Sequence, residues 1–277
     1  MRFRPTRTLA GLILTGIALL LIFLYLRFPG ETVTDYVKAQ AAGRVPGMLL
    51  SIDQAHPSFP PGVSFANVTV GFRDRPEATF QMESVEARPS VLAALRGRFA
   101  LLLAAAGYGG QATGRIAFTE AFSLQGPLTA EAALHDIRVE KCAWLRDSLA
   151  RQVTGALTAS ASYSGTAEAL KNGTANIDFT LTNGAYPLTE NFLGFDKIDF
   201  SRVDGKLSFH NGALRITQLT LTGEKFRCSL KGNILPAEEF RDSQIDLTLS
   251  IEIPIQGNKR MTMAVGGTIA NPQTRVM

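Results

Sequence analysis

Histidine, cysteine and tryptophan are nearly missing from this 277-residue chain: it holds three, two and one of them. His56, His135 and His210 stand far apart, with no i, i+4 partner and no C-x-x-C to complete a zinc set. No G-x-S-x-G motif occurs, and the one glycine cluster, "GYGGQATG" at Gly107–Gly114, lacks the lysine of a phosphate loop and reads as a turn. The carboxylates Asp196 and Asp199 flank a lysine, and Glu238–Glu239 open a turn; neither pair sits beside a histidine or cysteine. No acid–base, nucleophilic, metal or cofactor site emerges, so the residues give an enzyme nothing to work with.

Charge is also sparse, at 19% of residues, and its basic excess is local. Arg2, Arg4, Arg7 and Arg27 fall in the first thirty residues, which contain no acid. Subtracting those four from 28 leaves 24 basic against 24 acidic residues in 31–277. A neutral body has no cationic stripe to displace counterions, which excludes nucleic acid as the expected partner.

What is abundant at the start is aliphatic. "LAGLILTGIALLLIFLYL", Leu9–Leu26, runs 18 residues without a charge. As a helix it would measure about 27 Å, near the ~30 Å hydrocarbon core. Its eight Leu, three Ile and one Phe favour insertion by about 4–7 kcal/mol. A cleaved signal peptide is the rival reading. Its apolar part is shorter, and the "RFPG" that follows does not resemble a small-x-small cleavage site. The expected organisation is a cytoplasmic basic flank over 1–8, a transmembrane anchor over 9–28, a short amphipathic helix over 29–48 and a β-rich domain over 49–277. Arg2, Arg4 and Arg7 set the orientation, amino terminus inside, with the β domain across the inner membrane in a periplasm. In that oxidising compartment Cys142 and Cys228 could form one bridge, or remain two thiols packed as small apolar groups.

In the helix after the anchor, Val33, Tyr36, Val37 and Ala41 share one face, suited to capping the end of a sheet. From residue 49 on, alternation of period two dominates. "SQIDLTLSIEIPIQG" places Ile245, Leu247, Leu249, Ile251, Ile253 and Ile255 at every second position, against polar residues in the gaps. "GALTASASYSG", "TANIDFTLTNGAY" and "RMTMAVGG" alternate likewise. "GVSFANVTVGF" changes parity at Ala66–Asn67, as at a bulge. Turns are expected at Asn183–Gly184 and Asn211–Gly212, and short helices at "PSVLAALRGRF" and Glu140–Gln152. The fold class is mainly β: an elongated antiparallel curled sheet or a sandwich, with few short helices, preceded by one N-terminal transmembrane helix. Period two assigns the six aliphatics of 245–255 to one face without saying what that face lies against. It is either internal core or the wall of an open apolar groove.

The order of several soft motifs resembles the type II secretion system protein N family. They are the segment with Pro57, Ser58, Pro60, Pro61 and Gly62 leading to Asn67–Val68, then "ARPSVLAALRGRF", "TNGAY", "FSRVDGKLSFHNGALRITQLTLTG" and the closing "GGTIANPQ". The resemblance implies an inner-membrane structural component of type II secretion, with other secretion components as partners. The anchor, β body and terminal "GTIANP" also look like the wider AsmA-like group, for which a curled sheet with an apolar groove and phospholipid binding are implied.

Overall fold

The computed structural model describes residues 11–12, 15–16, 19, 23, 25–44, 47–59, 61–73, 75–119, 126–149, 151–166, 169, 172–192, 195–224, 226–237, 242–253 and 259–277. Arg2, Arg4, Arg7 and Ile255 lie outside them, as does much of the anchor expected over 9–28. Among the described residues, no helix is long and apolar enough to cross a membrane.

Fifteen strands form one sheet. The first four are β1 (Met48–Ser51), β2 (Gln54–Ser58), β3 (Gly62–Phe72) and β4 (Arg75–Pro89). Next come β5 (Phe99–Gly107), β6 (Gly110–Phe118), β7 (Pro127–Arg138) and β8 (Ala156–Thr166). The long pair β9 (Thr174–Phe192) and β10 (Phe195–His210) leads to β11 (Ala213–Thr222) and β12 (Arg227–Leu235). The last three are β13 (Gln244–Ile253), β14 (Lys259–Gly267) and β15 (Pro272–Val276). From β3 onward each strand pairs antiparallel with the next, while β1 and β2 pair with opposite halves of β3. From β2 onward every connection therefore joins strands that are neighbours in the sheet. The sheet remains open, with β1 and β2 at one end and β15 at the other.

Local chemistry explains the turns. Asn211 and Gly212 both take positive φ, 48° and 76°, which gives the twist a two-residue hairpin needs between His210 and Ala213. Tyr108 and Gly109 do the same at 55° and 76°, making "GYGG" the β5–β6 turn. Asn67, at φ 49°, marks the parity change in β3: Phe65 and Val68 are both buried, although three positions apart. Asn183–Gly184 is not a turn. Asn183 has φ 52°, but β9 continues through it and Gly184 pairs with Phe200 of β10. The glycine is required there because a Cβ would fall against the Phe200 ring and the Thr154 carbonyl.

Among the described residues, three helices pack on or join the strands: α1 (Gly30–Arg44), α2 (Val91–Leu95) and α3 (Ala143–Leu149). Helix α1 packs on β1 and β2. Val33 and Val37, with Phe28, rest against the buried cluster Ile52, Ala55, Phe65 and Val68, and Lys38 Nζ donates to the Ile52 carbonyl at 3.2 Å. This helix caps the end of the sheet, as its apolar residues suggest, but Tyr36 points to solvent. Helix α3 follows a 3-10 turn after β7 and reaches back to β4, where Trp144 meets Phe80 at 5.6 Å between ring centroids. Helix α2 begins at Ser90, whose hydroxyl accepts from the Ala93 amide at 3.3 Å.

There is no second sheet among the described residues, so the sandwich alternative is set aside in favour of the curled single sheet. The accessible surface, 19009 Å², is about 1.6 times the ~11,700 Å² expected for a compact monomer of this mass. A single layer leaves both faces open to whatever surrounds them.

Candidate functional site: an uncovered apolar face

Register turns the alternation of separate strands into one surface. Pairing places Leu134, Ala159, Phe179, Gly205, Leu219, Leu230, Leu249, Met263 and Val276 in a single row from β7 to β15. Two residues along each strand, or three across the bulge of β7, Ile137, Leu157, Leu181, Val203, Leu221, Cys228, Ile251 and Met261 form the next row. On the other side of the first row lie Ala132, Ala161, Ile177, Leu207, Ile216, Gly232, Leu247 and Val265. A fourth row holds Ala130, Tyr163, Ala175, Phe209, Leu214, Ile234 and Ile245. The pattern extends back through Ile116, Leu101 and Leu103 on β6 and β5. No charged side chain interrupts these rows.

The size of this face matters. Four rows at about 6.8 Å span roughly 20 Å, and nine strands at about 4.8 Å span roughly 38 Å. Their product is roughly 770 Å² of sheet before curling, beside the ~300–600 Å² of the largest apolar patch on a typical soluble monomer. Curling shields the face without closing it. Val203, Ile216 and Ile245 are buried, whereas Leu207, Leu219, Leu230, Leu247, Leu249 and Ile251 remain partly exposed. The side chain of Ile253 lies outside the description, although its backbone pairs with Lys259. Of the six aliphatics expected to share a face, Ile245, Leu247, Leu249 and Ile251 lie in the rows, and Ile253 holds the matching backbone position.

Glycines and aromatics smooth the floor. The Phe179 ring lies over Gly205, where a Cβ would fall inside it, and Tyr163 covers Gly165 and Gly173 in the same way. An aromatic ring laid on a strand glycine covers exposed backbone and fills the missing side-chain volume. These pairs are not visible as motifs, because glycine and ring are 26 residues apart in one case and adjacent only through pairing.

The opposite face is polar and carries the ion pairs. Arg202 grips Asp204 bidentately, Nε to Oδ2 at 2.6 Å and Nη2 to Oδ1 at 2.8 Å, while the Thr180 hydroxyl donates to Asp204 at 2.8 Å. The Arg202 guanidinium, opposed by a small desolvation cost and helped by Thr180, holds the Asp204 carboxyl below its ordinary range. Lys206 and Asp178 face each other at 3.9 Å, and Lys197 meets Asp199 at 3.1 Å. Both pairs are exposed. His210 shares a 3.0 Å hydrogen bond with Thr174 beside its turn, and His56 one of 3.0 Å with Gln54. Among the described residues, no group of three or more His, Cys, Asp and Glu is placed to hold a metal.

Cys142 and Cys228 are free thiols. Cys142 precedes α3, and burial followed by the nearby Glu140 carboxylate raises its pKa. Cys228 stands in the apolar rows between Leu221 and Ile251, and burial alone raises its pKa. In neither place is a thiolate favoured, so both fit the role of small apolar side chains.

Comparison of this chain with family models, with curated proteins and with solved structures finds no match.

Proposed function

We propose that the apolar face is a trough for acyl chains and that the protein binds or conveys lipid beside a membrane. The observation that carries this is the uninterrupted row from Leu134 to Val276, with no covering layer among the described residues. Water leaves such a face readily when hydrocarbon replaces it, at about 25 cal/mol per Å² removed from solvent. The fit is also one of length: one leaflet of a bilayer is about 15 Å deep, half of the ~30 Å core. A trough roughly 20 Å wide along the strands accommodates a chain of that length. Apart from the Tyr163 hydroxyl and the Cys228 thiol, the rows offer no side-chain hydrogen bond, so headgroups would stay at the polar lips and recognition would rest on hydrocarbon. The uncharged stretch Leu9–Leu26 supports an anchor in the inner membrane, which would supply the lipid.

A photoreactive amino acid at Leu249, inside the trough, should crosslink to phospholipid in cells. The same group at Thr248, one residue away on the opposite face, should not. Equal crosslinking at both positions, or none at Leu249, contradicts the reading.

The second reading is the secretion component that the resemblance implies. The observation that favours it is the open edge: β15 is exposed at every position and pairs on one side only, with β14. An unpaired edge is a place for another protein to add a strand. The two readings are compatible, since edge and trough are different surfaces.

A further inference from the structure

At one corner of the sheet, apolar side chains point outward rather than into the trough. Phe59, in the β2–β3 turn, is 87% exposed. Helix α2 joins β4 to β5 at the same rim, and there Leu95 is 80% exposed, with Leu92 and Val91 close to 60%. The two tips are neighbours: a Cβ on Gly62 would touch both the Ser58 hydroxyl and the Arg88 stem. Only Ala93 of this helix faces inward, so the helix shows solvent an apolar surface that contributes almost nothing to the fold. Leu102, on the outer side of β5, extends it at 42% exposure. A small helix that keeps its cap at Ser90 and directs three aliphatics outward is shaped to enter something apolar.

The charge carried by this stretch of chain is of one sign. Between Glu86 and Glu120 there is no acid, while Arg88, Arg96, Arg98 and Arg115 all fall there. Arg88 is paired with Glu86. Arg96 and Arg98 flank Gly97 just past the helix, are exposed, and form no ion pair with a described residue. Apolar side chains at a tip with arginines immediately behind them match the layering of a bilayer, hydrocarbon first and anionic phosphate next.

The position of the chain fixes which surface this is. Gly30, at the start of α1, sits directly against the Ala55 carbonyl of β2, three residues from Ser58 and the Phe59 turn. The chain that follows the apolar stretch Leu9–Leu26 therefore enters the sheet, at Gly30, near the same corner as Phe59 and α2.

We infer that this corner docks on the bilayer, with Phe59, Val91, Leu92 and Leu95 inserted in its interfacial region and Arg96 and Arg98 on anionic headgroups. The inference rests on the trough reading for its purpose: it would hold the trough beside the membrane that supplies its acyl chains. Its geometry stands on the exposed corner alone.

The test uses the full chain with Cys142→Ser and Cys228→Ser, reconstituted in phosphatidylcholine vesicles with and without phosphatidylglycerol. A single cysteine is introduced by Phe59→Cys, Leu92→Cys or, as control, Asn211→Cys, and labelled with an environment-sensitive fluorophore. Asn211 lies on the same rim but about 29 Å farther along the sheet, six strand spacings away. Quenchers carried on the lipid acyl chains should reduce emission at least twofold from positions 59 and 92 and leave position 211 unchanged. Arg96→Glu with Arg98→Glu should abolish the extra quenching that phosphatidylglycerol gives. No quenching at 92, or equal quenching at 211, overturns the inference. Failure of the trough reading would show elsewhere, as absence of bound phospholipid with quenching at 92 intact.

Discussion

Leu249→Asp separates a trough from a closed core by the size of its effect. Leu249 stands between Leu230 and Met263 in the central row and is partly exposed. Removing its side chain loses about 1–2 kcal/mol of transfer free energy, less than the 2–5 kcal/mol of a fully buried leucine, because solvent rather than a cavity replaces it. The new carboxylate reaches water over the open side, so the penalty of an unpaired buried charge, about 3–5 kcal/mol, does not apply in full. A total near 2 kcal/mol should lower the melting temperature by about 4–8 °C for a domain of this size. Thermal unfolding of the full chain, followed by circular dichroism, measures it. Phe65→Asp, within the buried cluster beneath α1, provides the contrast and should prevent stable folding. If Leu249→Asp also fails to fold, the face is closed core and the reasoning is refuted. If it folds with the modest loss but retains as much phospholipid as before, the trough is not where lipid sits.

Three further outcomes follow from particular contacts. Gly205→Val should drive the Phe179 ring off its seat and cost about 1–3 kcal/mol in denaturant unfolding, and an unchanged midpoint would mean the ring does not lie there. Cys228, in the rows, should lose reactivity toward a thiol reagent when phospholipid is added, whereas Cys142 should not; parallel protection of both would argue against the face as the binding surface. Asp204 has a folded pKa below its unfolded value, so its contribution is present above about pH 4 and is lost as pH falls through the folded value. As an exposed pair it is worth about 1 kcal/mol at most, and Asp204→Asn should remove that part of the acid dependence, as read from unfolding at pH 3 and pH 7.

Much of this was legible in the residues, and what was not has physical reasons. Alternation in "SQIDLTLSIEI" and "ALTASASYSG" assigns side chains to faces because period two is a property of the strand itself. Asn211–Gly212 is readable because both positions need positive φ and these residues supply it. Asn183–Gly184 uses the same letters for another purpose: its glycine makes room for Phe200, a partner 16 residues away that only pairing reveals. The choice between sandwich and curled sheet was open for a similar reason. Periodicity states which side chains share a face, and the strand order decides whether a second layer exists to cover them. The outward face of α2 is not legible in the residues, because Val91, Leu92 and Leu95 look like any short helix preparing to pack, and exposure is a property of the whole fold.

The central claim is that hydrocarbon occupies the row from Leu134 to Val276. Native mass spectrometry of the full chain, released from mild detergent, tests it most directly, with Leu219→Asp plus Leu249→Asp as the control for lipid held elsewhere. The account predicts phospholipid retained at a defined stoichiometry by the natural chain and lost from the folded double variant. A bare, folded natural chain, or the same lipid count in both, would contradict it.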